Sequence, residues 1–106
     1  MISRLYWLIQ TLADMPEGDL WLSDDERKIA SGFRFDKRRN DWLLGRWTVK
    51  RAVGVILSNS PFDASAFEIC AAADGAPEAY LMGKPVDISI SISHSNAQCL
   101  CAVGPS

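Results

Sequence analysis

The 106 residues hold one histidine, His94, and three cysteines, Cys70, Cys99 and Cys101, little for thiol or imidazole chemistry. An odd number of cysteines with no paired framework excludes a secreted disulfide scaffold and points to a reducing compartment. No Cys-x-x-Cys spacing occurs and His94 is the only histidine, so Cys99 and Cys101 are read as strand residues pointing to one face and not as metal ligands. Long apolar runs are absent too. Leu5-Tyr6-Trp7-Leu8-Ile9 is too short to span a membrane, and the acidic stretch after it offers no cleavage site. A cytoplasmic protein without a membrane partner is expected. Neither Gly-x-x-x-x-Gly-Lys-Ser/Thr nor Gly-x-Gly-x-x-Gly is present, which excludes the standard nucleotide loops. There is no internal repeat, no low-complexity segment, and no pair of acids near the C-terminal strands at a spacing that would hold Mg²⁺.

What the chain does have is the composition of one ordinary globular domain, with 48% hydrophobic and 23% charged residues. Its net charge of -2 hides a sorted distribution. Residues 1–26 hold six acids against Arg4, residues 27–51 hold nine basic residues against Asp36 and Asp41, and residues 52–106 hold five acids against Lys84. An acidic protein thus contains one concentrated basic segment.

Residues 2–9, rich in β-branched and aromatic types, predict a first strand. Pro16 and Gly18 mark a loop. Ser23, with Glu26 three residues on, predicts a capping box and a short helix ending near Gly32. Asp36 is expected to cap a longer helix reaching Leu57. Along it Trp42, Val49, Val53 and Ile56 recur at helical spacing, with Leu43 and Trp47 widening the face, before Asn59-Ser60-Pro61. Residues 66–71 predict a short strand. Asp74-Gly75-Ala76-Pro77 and Gly83-Lys84-Pro85 are read as turns. From Val86 to Ser93 the pattern alternates strictly, isoleucines against serines, as in a half-buried strand. His94-Ser95-Asn96 is read as a tight connection and residues 97–103 as an antiparallel partner strand. The expected fold is α/β (α+β): a small antiparallel sheet packed on one long helix.

Three features carry possible chemistry. Arg39, Arg46 and Lys50 lie seven and four residues apart, within roughly 40° on one helix face. Lys37, Arg38 and Arg51 flank them. A solvated face is one account, but such faces usually mix signs. An anionic ligand is the other. Second, Ser91-Ile92-Ser93-His94-Ser95 combines hydroxyls with an imidazole, donors suited to phosphate oxygens, although a plain turn would use the same residues. Third, Gly83-Lys84-Pro85 presents a lysine before the serine strand.

Taken in order, Leu22-Ser23-Asp24-Asp25-Glu26-Arg27, Phe33-Arg34-Phe35, Arg39, Leu43-Leu44-Gly45-Arg46 with Lys50, Gly83-Lys84-Pro85 and Ile92-Ser93-His94-Ser95 resemble the 4′-phosphopantetheinyl transferases. The likeness is to the monomeric two-domain, surfactin-synthetase-activating type, and runs from about residue 20 to the C-terminus. It implies a pseudo-symmetric fold of two α/β halves with coenzyme A and Mg²⁺ between them. The implied reaction moves phosphopantetheine from coenzyme A to a serine of an acyl or peptidyl carrier protein. Carried over, it implies phosphate contact for Ser93 and His94, proximity of Lys84 and Pro85 to the adenosine 3′-phosphate and base, and coenzyme contact for Arg46, Lys50 and Arg39, the choice among Lys37, Arg38 and Arg39 staying open. The family's Asp-x-Glu metal motif and Trp-x-x-Lys-Glu helix would follow position 106. The expectation is therefore an N-terminal half, residues 1–106 as a single domain, with no catalytic residue or metal ligand of its own and no activity alone. It would partner with a C-terminal half or self-associate through an exposed face. Two other classes fit the residues less fully: a nucleic-acid-binding domain built on residues 34–51 with Trp42 and Trp47, and a homodimerising interaction module.

Overall fold

The computed structural model of the chain describes residues 5–57, 63–73 and 75–105. Strand β1 (Tyr6–Thr11) leads through a 3₁₀ turn, Leu12–Asp14, into a loop and then helix α1 (Asp24–Ser31). Helix α2 (Asp36–Leu57) follows, and after a second 3₁₀ turn, Ala64–Ala66, come β2 (Phe67–Ala71), β3 (Pro77–Leu81), β4 (Lys84–Pro85), β5 (Ile88–Ser95) and β6 (Gln98–Pro105).

The local signals act as their chemistry requires. The Ser23 hydroxyl accepts from the Glu26 N–H at 3.2 Å and the Glu26 carboxylate accepts from the Ser23 N–H at 2.9 Å, a complete capping box. Asp36 is the first residue of α2 rather than its cap, so its carboxylate lies in the first turn, where it still favours the positive helix end. The break expected at Asn59-Ser60-Pro61 falls outside the described residues, as do the start of the first strand and Asp74.

Two three-stranded antiparallel sheets pack against α2, ordered β1-β6-β5 and β2-β3-β4. Two expected turns are therefore partly strand. Pro77 opens β3, and Lys84 and Pro85 pair back onto it opposite Leu81 and Tyr80. The reversal itself is Met82-Gly83, both at positive φ, a type I′ hairpin turn. Likewise His94 and Ser95 belong to β5, and the turn is Asn96-Ala97, again with both φ positive.

The main core joins Val49, Ala52 and Val53 of α2 to Phe67, Ile69, Ala79, Ile90, Cys101 and Val103. A second cluster, Trp21, Leu22, Ala30 and Ala64, is bordered by Trp42, Leu43 and Trp47, so the wide apolar face of α2 serves two cores. Cys99 and Cys101 point inward together and are fully buried. On the opposite face of the first sheet, strand pairing sets Trp7, Ala102 and Ser91 in one row and Ile9, Leu100 and Ser93 in the next. That face is open: Leu5, Trp7 and Ile9 are 61%, 62% and 58% exposed. Among the described residues no helix is long and apolar enough to cross a membrane.

Candidate functional site

The basic helix divides by face. Lys37, Asp41 and Gly45 succeed one another at four-residue spacing and meet the β5–β6 hairpin. Arg46 and Lys50 point elsewhere, toward α1 and the second core.

Lys50 is not a surface residue. It is 0% exposed, and its ammonium donates to the Glu26 carboxylate and, at 2.9 Å, to the Trp21 carbonyl. The Glu26 carboxylate also accepts the Ile69 N–H at 3.0 Å and the Ser23 N–H at 2.9 Å, so one buried ion pair ties α1, α2 and β2 together. Burial lowers the Lys50 pKa, and the hydrogen bond to Glu26 opposes the shift. In this position the side chain has no surface to offer a coenzyme. The reason is simple: a cation whose acid partner is 24 residues away looks unpaired along the sequence.

Arg46 is half-buried, its guanidinium 4.6 Å from the centre of the Trp42 ring. Its buried Nε has no hydrogen-bond partner. Burial lowers its pKa, with Glu26 acting in the opposite direction, and it stays cationic. Trp42 and Trp47 are engaged on this side as well. Trp42 packs on Phe33 at 5.8 Å, while Trp47 sits edge-on to Trp21 at 5.3 Å and donates its N–H to the Asp14 carbonyl.

The other face of α2 borders a groove. Lys37, Asp41, His94, Ser95, the turn residues Asn96 and Ala97, and Gln98 line a pocket of about 150 Å³. A larger one of about 530 Å³, lined by Leu12, Lys37, Asn40, Asp41, Asn96 and Ala97, continues it. His94 pairs with Cys99 and so extends the inward-facing isoleucine row of β5 beyond the core. Its ring rests on Gly45, and neither ring nitrogen has a hydrogen-bond partner among the described residues. The Lys37 ammonium is 3.1 Å from Asp41.

Of the residues singled out from the sequence, His94, Ser95 and Lys37 line this groove, and of those the resemblance assigned to coenzyme contact His94 does so. Ser93 neighbours it in sequence but lies on the opposite face of β5. Arg39 is exposed on the first turns of α2, and Lys84 and Pro85 are exposed on β4. Arg34, Arg38, Arg39 and Arg51 are exposed with no carboxylate partner among the described residues, and the first three set a positive field about the start of α2. Lys37, left open beside Arg38 and Arg39, is the one of the three that enters the groove. Asp41 and Gly45 were missed, although their spacing from Lys37 places all three on one helix face. Among the described residues no three His, Cys, Asp or Glu side chains lie close enough to hold a metal ion.

No family model matches the sequence. No curated protein matches it either. The fold has clear relatives among solved structures. A holo-(acyl-carrier-protein) synthase from Bacillus anthracis, in complex with CoA (3′,5′-ADP), superposes with a TM-score of 0.79 at 20% identity over 99% of this chain and 96% of that one. The holo-[acyl-carrier-protein] synthase of Neisseria meningitidis gives 0.77 at 16% identity over 100% and 99%. That of Helicobacter pylori, in complex with coenzyme A, gives 0.71 at 18% over 97% and 100%. At such identities the likeness establishes a shared fold.

Proposed function

We propose that this chain is the coenzyme A-binding half of a 4′-phosphopantetheinyl transferase of the two-domain type. Its full activity would transfer phosphopantetheine to a serine of a carrier protein and release adenosine 3′,5′-bisphosphate. The observation that carries the reading is the groove at His94. It offers an imidazole with two unpartnered nitrogens in a groove shared with the Lys37–Asp41 pair, in a fold shared with synthases solved with coenzyme A.

In this reading His94 and Lys37 hold phosphate oxygens by charge-assisted hydrogen bonds, and Arg39 adds long-range attraction. Ser93, Lys84 and Pro85 would meet the adenosine end from the edge of the sheets. Arg46 acts from behind α2, fixed on Trp42. Lys50 contributes to the fold that presents them. Mg²⁺, which the family resemblance implies, finds no donor set among the described residues, so no step is assigned to it here. The carboxylates would come from a second half. The exposed face bearing Leu5, Trp7 and Ile9 is the proposed seat of that half, and in its absence of a second copy of this chain.

Calorimetric titration with coenzyme A and with dephospho-coenzyme A tests the binding. Saturable binding of coenzyme A is expected, weakened about tenfold or more by His94→Ala. Dephospho-coenzyme A is expected to bind less tightly. Phosphopantetheine transfer by the chain alone is not expected. Absence of coenzyme A binding, together with a salt-dependent shift on DNA or RNA, would replace this reading with the nucleic-acid one.

A further inference from the structure

We propose that Gly45 is a positioning residue, kept free of a side chain so that the His94 imidazole can lie against α2 and face the groove. Gly45 sits inside a 22-residue helix, where glycine is among the least favourable residues. Its backbone supplies no reason for it: the glycines at positive φ are Gly18, Gly75 and Gly83. The reason lies opposite. A Cβ built at position 45 would come 3.2 Å from His94 Nε2 and 3.3 Å from His94 Cε1, inside ordinary van der Waals contact. The helix therefore approaches the ring closely at this point, and the missing methyl is the space the ring edge occupies.

This contact has a consequence for ligand binding. His94 is at the exposed end of β5, with no hydrogen bond to hold its ring among the described residues. Packing on the helix backbone is then what restricts its rotamers, and a ring already oriented loses less freedom on binding. An alanine at 45 also has an outlet: the ring is exposed and can yield by a few tenths of an ångström or turn away. Gly45→Ala should thus fold well, since alanine is the better helix former, yet misplace the imidazole. Stability and binding are expected to move in opposite directions.

His94 is the only histidine, so its ring protons give one set of NMR signals that needs no assignment by mutation. Gly45→Ala is expected to shift the Hε1 resonance, keep or raise the melting temperature by a few degrees, and weaken coenzyme A binding about tenfold. In a His94→Ala background the same substitution should cost less than about twofold in affinity, because its effect passes through the ring. The binding arm rests on the proposed coenzyme function and the resonance arm does not. A shifted resonance with no binding by any variant would sustain the contact and remove the coenzyme reading. An unchanged resonance in folded Gly45→Ala, or an equal affinity loss with and without His94, would overturn the proposal. If Gly45→Ala unfolds, melting of the Gly45→Ala/His94→Ala double variant decides it: recovery supports the proposal, and no recovery contradicts it.

Discussion

Lys50 and Glu26 form the most consequential residue pair in the molecule outside the groove. Both are essentially fully buried, and Glu26 is held from three elements at once. Removing one partner strands a desolvated charge, which costs about 3–5 kcal/mol. Lys50→Met is therefore expected to lower stability by about that much in urea unfolding, a large share of a small domain's total. Where it still folds, its coenzyme affinity should stay near wild type. A substantial affinity loss without a stability loss would return Lys50 to the binding surface. The thiols give a second residue-scale expectation. Burial pushes Cys101 up to about 12 and also raises Cys99. Above about pH 9 the unfolded chain releases these protons and the folded chain keeps them, so stability falls as pH rises from about 9 towards 12. The slope is up to about 1.4 kcal/mol per pH unit for each thiol. Cys101→Val should flatten the alkaline limb, and an unchanged slope would contradict the assignment. From the sequence Cys99 and Cys101 were legible as strand residues sharing one face, because period two is local. The burial of Lys50 was not, because its acid partner arrives from another element.

Helix α2 is the element that sorts the chemistry. One face carries Lys37, Asp41 and Gly45 to the hairpin, and another carries Trp42, Arg46 and Lys50 to the second core. Its extent was readable from apolar spacing, whereas the partner of each face depended on two sheets and not one. Strands β3 and β4 were the elements missed. Pro77 and the Gly83-Lys84-Pro85 run look like turn residues, yet Pro77 is the first residue of the central strand β3, pairing with Ala71, and only Met82-Gly83 reverses the chain. The β5–β6 turn offers a test at this scale. Ala97 adopts φ 62, a left-handed conformation that disfavours a Cβ, after Asn96 at φ 49. Ala97→Gly would complete an Asn-Gly type I′ turn. It is expected to stabilise the chain by about 0.5–1 kcal/mol, raising the melting temperature by several degrees. A lower melting temperature would show that the alanine methyl makes a contact worth more than the backbone strain.

At the scale of the whole molecule, two features stand apart: a groove bearing the His94 imidazole and the Lys37–Asp41 pair, and an apolar sheet face left exposed. Trp7 and Ile9 of β1 and Leu5 just before it remain exposed, a patch that a folded chain usually covers. Sedimentation velocity is expected to show self-association that rises with concentration, and Trp7→Glu to abolish it while leaving the circular dichroism spectrum intact. A wild-type monomer at high concentration would remove the second-copy proposal. The basic segment, conspicuous in the sequence, turns out to be a composite. One of its lysines is buried and structural, one arginine is half-buried against a tryptophan, Arg27 is paired with Asp19 and Asp24, Lys37 is paired with Asp41 in the groove, and Arg34, Arg38, Arg39 and Arg51 are exposed. The coenzyme reading concentrates on His94. The most direct measurement is therefore an NMR titration that follows the single histidine while coenzyme A is added. Coenzyme occupancy of the groove requires a saturable shift of the His94 ring signals that Lys37→Ala weakens. Ring signals that stay fixed while coenzyme A is raised far above the protein concentration would contradict it.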